Sequence, residues 1–416
     1  MNSIVLFSIS LSLVASAVGL EKGFITLQVL QAPYPSSPAN PWEESAVLRM
    51  QAGDEARLRY LGSLVARRSD VPAASGRQIT QSPTYIVGAK IGTPPQAVTL
   101  ALDTSSDVGW VPCSGHSAAA ASFDHSKSAT FKNVSCGAPQ CKQVSNPTCE
   151  GNVCAFNLTS GGSSVAGTLS EDNITLSRDA VAGYTFGCIQ KAAAGNAAPT
   201  QGLLGLGRGP LSFLSQTKDL YNSTFSYCLP NFKSSGFTGS LRLGPVAQPK
   251  NIKSTPLLIN PRRPSLYYVN LIGILVGKNR VNISSAALAF NPANGVGTVI
   301  DSGTIFTRLV QPAYEAVRDE FRRRMGRATL SSLGGFDTCY QVAVTIPSIT
   351  FVFEGMNVTL PQDNFLIHSS GGGTTTCLAM AATPALNVIA SLQQQNHRVL
   401  FDLPNSRLGV SREPCT

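Results

Sequence analysis

From Tyr85 onward the chain alternates apolar and polar residues in short runs. YIVGAKIG (85–92) alternates, TPPQ turns the chain, and AVTLALD (97–103) resumes. A period of two marks half-buried strands separated by turns. GYTFGCI, GSLRLG, YYVNLIGILVG, ITFVFEG, HRVLFD and RLGVS continue the pattern, so a mainly β body is expected. Helical patterns are few. Residues 210–220 and 312–327 each carry Pro near the first turn, where a missing N–H costs nothing. In the second, Tyr314, Val317, Phe321 and Met325 share one face, which leaves Arg322, Arg323 and Arg324 on a solvated face.

The pattern before Tyr85 is different. Residues 43–69, EESAVLRMQAGDEARLRYLGSLVARRS, are charged, rich in Ala, Leu and Arg, and helical in period. VPAASGRQITQSP follows and reads as a linker. A charged helical stretch ahead of a β-rich body suits a removable pro-segment. Residues 1–20 run apolar from Ile4 to the small residues Ala15, Ser16 and Ala17, the layout of a secretory signal peptide with its cleavage site. The run is barely long enough to span a bilayer and no basic flank follows it, so no membrane anchor is expected in the mature form.

Composition supports the β reading and adds a compartment. Charged residues are only 13% of the 416, so Glu-rich and Lys-rich helices are scarce. Ten Cys, an even number, suit oxidised pairs outside the cytosol. Cys136, Cys141, Cys149 and Cys154 make a compact stapled loop. Their spacing is not that of a zinc site and no His lies among them, so no metal is expected. Sequons at Asn133, Asn157, Asn173, Asn222, Asn282 and Asn357 point the same way, to a glycosylated, secreted, extracellular protein. The net charge of +9 reads as a diffuse basic surface. No basic run is interleaved with aromatics, and no nucleic-acid partner is expected.

Candidate chemistry narrows quickly. There is no Gly-x-Ser-x-Gly elbow, and His116, His125, His368 and His397 show no triad or metal spacing. One motif repeats: LALDTSS (100–106) and TVIDSGT (298–304). Each is an apolar strand ending in Asp, then small residues. Two strand-end carboxylates brought face to face cannot both ionise, so one retains its proton. Such a pair can hold a water, take its proton with one member and donate to a carbonyl with the other. Thr104 and Ser302 can hydrogen-bond across the two loops, and Ser105 and Gly303 let backbone N–H groups approach the carboxylates.

On these motifs the chain resembles the pepsin-like aspartic proteases, more closely their plant nepenthesin-like and atypical apoplastic branch. The resemblance runs from about Tyr85 to Cys415. It rests on IGTPPQ…LALDTSSDVGWVPC, GLLGLGRGPLSFLSQ (202–216), TVIDSGTIFTRL and NVIASLQQQNHRVLFDLPNSRLGVS (387–411). It implies a bilobal β fold with a cleft between pseudo-two-fold-related lobes, residues 82–262 and 263–416, after a pro-segment and linker at 21–81. It implies catalytic Asp103 and Asp301 supported by Thr104, Ser106, Ser302 and Thr304. A monomer acting on polypeptide at acidic pH, made as a zymogen and needing no cofactor, is the expected function.

The resemblance also implies the pairs Cys136–Cys154, Cys141–Cys149, Cys228–Cys415 and Cys339–Cys377. Cys113 and Cys188 either pair with each other or stay free. His116 stands where relatives commonly have a further Cys. At the flap, Ser160 stands where the family has Tyr, followed by Gly161 and Gly162. Trp110 would then lack its usual partner, with Phe156 as a steric substitute only. Ala390 replaces the Gly of the second crossing segment. The flap departure keeps an alternative open: a weakly active or inactive pepsin-like binding or inhibitor protein. A DNA-associated protease is a further alternative, disfavoured by the signal peptide and sequons.

Overall fold

The computed structural model describes residues 25–31, 42–65, 85–113, 122–144, 146–160, 163–193, 201–232, 239–261, 263–326, 329–341, 345–369 and 375–415. The expected signal peptide, linker, His116, Gly161 and Gly162 lie outside them.

The chain is mainly β and bilobal. Each lobe is built around the same crossing. In the first, Gln96–Asp103 runs parallel to Gly202–Gly205 with Asp103 beside Gly205, and Leu203 also faces Trp110 from an antiparallel neighbour. In the second, Thr298–Ile300 runs parallel to Asn387–Ile389, and Val388 also faces Arg308 from an antiparallel neighbour. Trp110 and Arg308 therefore hold equivalent places, each seven residues beyond an Asp. At the crossings Leu100, Leu102, Leu204, Val299, Ile300, Val388 and Ile389 are all buried. Ala390, at the second crossing, is fully buried with its N–H on Thr307 Oγ1 at 3.0 Å, so the extra methyl is accommodated.

One antiparallel sheet joins the lobes. Thr224–Cys228 pairs with Gly239–Leu243 on one side and His397–Asp402 on the other. His397–Asp402 pairs with Arg407–Arg412, which pairs with Lys253–Leu258. Phe225 stacks on Phe401 across the lobe boundary at 4.5 Å between centroids. The expected helix at 312–327 forms as Gln311–Met325, burying Tyr314, Val317, Phe321 and Met325. Arg322 bonds Thr338 and Asp337, while Arg323 and Arg324 pair with Glu320. The expected helix at 210–220 is two short turns, Phe213–Gln216 and Lys218–Tyr221.

All ten cysteines are bridged. Cys228–Cys415, Cys339–Cys377 and Cys113–Cys188 are present. The compact loop corrects the expected pairing: Cys136 bonds Cys149 and Cys141 bonds Cys154. The reason is which side each residue faces. Cys141 and Cys154 are buried in a cluster with Trp110 and Phe156, while Cys149 is exposed and Cys136 half-buried beside it. Cys149 and Cys154 are register partners across the hairpin, and each bonds a cysteine that lies outside it.

The segment before Tyr85 does more than form a helix. Ile25–Gln31 is a strand not anticipated from sequence. It pairs antiparallel with Gly239–Leu243 and touches Tyr85–Ile91 at its end. Its alternation is strict: Ile25, Leu27 and Val29 are buried and Thr26, Gln28 and Leu30 exposed. The helix Glu44–Val65 then lies over the cleft. Val47, Met50, Gln51, Asp54, Arg57 and Leu61 are buried, one stripe at spacings of three and four.

Candidate active site

The two repeated loops meet. Ser302 N–H donates to Thr104 Oγ1 at 3.0 Å and Thr104 N–H to Ser302 Oγ at 3.2 Å, a reciprocal clasp between lobes. Ser302 Oγ also donates to the Leu102 carbonyl at 3.1 Å. Each Asp is held by its own loop. Asp103 accepts from Ser105 N–H at 2.8 Å, Ser105 Oγ at 3.0 Å and Ser106 Oγ at 3.0 Å. Asp301 accepts from Gly303 N–H at 3.4 Å, Thr304 N–H at 2.9 Å and Thr304 Oγ1 at 2.5 Å. Donors aimed at the carboxylate oxygens fix the plane of each group.

One guanidinium fills the space between the carboxylates. Arg57 Nε and Nη2 donate to Asp301 at 2.6 Å each. Nη1 and Nη2 donate to Asp103 at 2.9 and 2.7 Å, and Nη2 also reaches Ser105 Oγ at 2.7 Å. Burial alone would raise Asp103, but the Arg57 charge and hydrogen bonds hold its carboxyl down at about 2. Burial likewise opposes the charge on Arg57, and the two aspartates outweigh it and raise its pKa well above the usual value. A side chain on Gly303 would meet the guanidinium at 2.3–2.4 Å, so the missing Cβ is what lets Arg57 in.

Asp54, one helical turn earlier, makes a second anchor. Its carboxylate accepts from the N–H groups of Ile305 and Phe306, both at 2.8 Å. Gln51 accepts from the buried Arg308. Burial pushes the Asp54 carboxyl up to about 6, against Arg308, the two N–H groups and Arg57. Trp42 packs on Phe232 and Phe306, and Leu61 joins Leu266, Tyr268, Val299, Leu386 and Val388.

Profiles of two paired families match the chain. The one described as xylanase inhibitor N-terminal covers residues 85–245, and the one described as xylanase inhibitor C-terminal covers 266–412. Aspartyl protease AED3 of Arabidopsis thaliana is 48% identical over 96% of this chain and 94% of its own length. Aspartyl protease 25 of Oryza sativa subsp. japonica is 41% identical over 94% of each chain. This chain belongs to the plant pepsin-like aspartyl protease family. Aspartic proteinase nepenthesin-1 of Nepenthes gracilis, 33% identical over 80% of this chain and 78% of its own, is a further relative. The solved structure of basic 7S globulin from soybean shares the fold, with a TM-score of 0.66 at 20% identity over 94% of this chain and 97% of its own.

Other family positions fall into place less completely. Trp110 is buried in one cluster with Phe156, which fits Phe156 as a packing partner. The flap hairpin is Val153–Ser160 against Ser163–Leu176, with Ser160 opposite Ser163 at its tip. Beneath Asp301, Gln394 Nε2 donates to the Asp301 carbonyl at 3.1 Å and to Ile389 O at 2.8 Å. Tyr227 hydroxyl donates to Gln394 in turn. Sequence reasoning missed Arg57, Asp54 and the glutamine supports. A signal existed for the first two: Gln51, Asp54 and Arg57 are polar residues on an otherwise apolar helical stripe, and a buried polar group needs a partner. The sequons Asn133, Asn157, Asn222, Asn282 and Asn357 are exposed and Asn173 is half-buried. No helix among the described residues is long and apolar enough to cross a membrane, and no metal-holding group of His, Cys, Asp or Glu occurs among them.

Proposed function

We propose that the protein is a secreted aspartic-type endopeptidase, made as a zymogen, that hydrolyses polypeptides through Asp103 and Asp301. One observation carries the reading: two buried carboxylates, each held by its own loop's N–H and hydroxyl donors, converge on a single group in the cleft between lobes. In the processed enzyme a water takes the place of the guanidinium. Like charges at contact leave one carboxyl protonated. The ionised member takes the water's proton as its oxygen attacks the peptide carbonyl, and the protonated member donates to the carbonyl oxygen. The carboxyl that took the water's proton then gives it to the leaving nitrogen, the other carboxylate recovers a proton from a hydroxyl of the tetrahedral diol, and the C–N bond breaks. Thr304 Oγ1 and Ser106 Oγ keep the outer oxygens occupied so that the inner ones face the water. Arg57 keeps the dyad occupied until the 21–81 segment is removed.

The expected extracellular location rests on the N-terminal apolar run, the bridged cysteines and the accessible sequons. The test is hydrolysis of a denatured protein at about pH 3–5, after removal of the pro-segment, with and without a pepstatin-type inhibitor. Asp301→Asn should lower the rate by roughly 10³-fold or more, because the proton-sharing pair is broken. Equal inertness of the processed wild type and the mutant would overturn the reading. The inhibitor-type binding protein is then the surviving one, favoured by the descriptions of the two matching profiles. It predicts binding to a glycan-degrading enzyme that Asp301→Asn leaves unchanged.

A further inference from the structure

The place occupied by Asp54 belongs to the second lobe and remains when the helix leaves. Ile305 N–H points at Oδ1 and Phe306 N–H at Oδ2, each at 2.8 Å. Two donors thus address two different oxygens of one carboxyl group. A carboxyl offers an acceptor to both. An amide offers one oxygen, and its NH2 would confront the second N–H. The backbone pair therefore discriminates Asp from Asn by geometry.

Behind this pair stands Arg308, only 4% exposed. Its Nη2 donates to Gln51, and its Nε has no hydrogen-bond partner among the described residues. The carboxylates that bear on it, Asp54 and Glu55, are both on the helix Glu44–Val65. Removal of that helix takes away the Gln51 acceptor and both charges together. The guanidinium then faces the open cleft with only water for a partner, and a carboxylate entering the cleft can restore the charge and the acceptors that the helix supplied. The first lobe offers nothing similar, because the equivalent position there is Trp110. The seat lies about 4.5 Å along the helix from Arg57, the rise of three residues, so a chain stretched over the dyad passes it.

We propose that in the processed enzyme Ile305 N–H, Phe306 N–H and Arg308 form a specificity subsite for an acidic side chain, selecting Asp or Glu at one position of the polypeptide substrate. The subsite rests on the endopeptidase reading for its role in turnover, but its ligand chemistry can be read without catalysis.

C-terminally amidated peptides are compared in pairs, Asp against Asn and Glu against Gln, with the varied residue moved along the peptide. At about pH 5, above the ordinary aspartate value, the acidic member should have a kcat/KM at least about tenfold higher at one position. The ratio should fall towards one in Arg308→Gln. Arg308→Lys, which retains charge but loses the planar fork, should give an intermediate ratio and serves if the Gln variant does not fold. Ratios within twofold at every position, or a ratio unchanged by the Arg308 variants, would overturn the subsite. If no peptide is hydrolysed, the endopeptidase reading fails and the subsite is decided by binding. A labelled peptide of residues 44–65 is then titrated onto the processed chain beside its Asp54→Asn version. A loss of affinity of about tenfold or more supports the seat, and equal affinity sinks it.

Discussion

The two aspartate loops start alike and end differently. Asp103 and Asp301 each close a buried strand, each accepts an N–H from two residues on and a hydroxyl from three residues on, and each loop gives one side chain to the clasp between them. Beyond that point the first loop presents an acid and the second presents donors. Asp107 turns to the lobe junction, accepting from Gly209 N–H at 2.8 Å and Ser265 Oγ at 2.5 Å. At the matching places Ile305 and Phe306 turn their N–H groups into the cleft. Ser105 adds a hydroxyl to the guanidinium, while Gly303 makes room for it. A pseudo-two-fold is thus strict where the carboxylates must be matched. It is broken where one side must grip a ligand that is itself asymmetric.

The largest expected break in this comparison is at the shared partner. Arg57→Leu leaves two buried aspartates facing each other with no cation. Removing one member of a buried ionic group costs about 3–5 kcal/mol. The affinity of the 44–65 peptide for the processed chain should therefore fall by roughly two to four orders of magnitude, read by fluorescence anisotropy. A drop of less than tenfold would mean that the Asp54 and Leu61 contacts hold the helix without the dyad.

The pH dependence separates the loops next. With the helix docked, Asp103 stands at about 2, below its ordinary 3.8. A depressed docked-state value favours docking above the ordinary value, and that favour is lost as pH falls towards about 2. Asp54 has the opposite sign. It is raised from 3.8 to about 6, so docking gains as pH falls from about 6 to 3.8. The helix should stay seated on mild acidification and leave only below about pH 4. Trp42, buried against Phe232 and Phe306, reports this as a red shift on release. The Asp301→Asn chain cannot serve, because it alters the bridge, so the measurement is made on wild type in the first seconds after a pH jump. A release midpoint above about pH 5 would contradict the assignment.

The smallest effects sharpen the Ser105 and Gly303 asymmetry. Gly303→Ala places a methyl where the guanidinium lies and should weaken docking by about 1–3 kcal/mol. Ser105→Ala removes one hydroxyl from the Arg57 and Asp103 network and should cost about 1 kcal/mol. Both are read from the affinity of the 44–65 peptide. Equal losses would show that the guanidinium simply shifts to accommodate the methyl.

Much of the fold and part of the site were legible in the sequence. The period-two runs gave the strands, and the helix from Gln311 to Met325 was marked by its Pro and its apolar face. The repeated Asp motif located both loops, and its Thr104 and Ser302 form the reciprocal clasp that their side chains allow. The cysteine loop was legible as a unit but not in its pairing. Spacing cannot report that Cys141 and Cys154 face the Trp110 cluster while Cys149 faces outward. The strand Ile25–Gln31 went unread because its neighbours, Gly239–Leu243 above all, are more than 200 residues away.

The sequence by itself therefore determined a mainly β chain with two similar halves, each delivering one Asp at a strand end. Those features depend on local alternation and local turns, which are written in consecutive residues. Only the tertiary structure decided what stands between the two Asp residues. Arg57 looks like any charge on a solvated helix until the helix is laid across the cleft. Burial then gives that charge two carboxylates to meet, and gives Asp54 and Arg308 their meaning as well. Those relations are long-range contacts in a low-dielectric cleft, and no short window of sequence contains both partners.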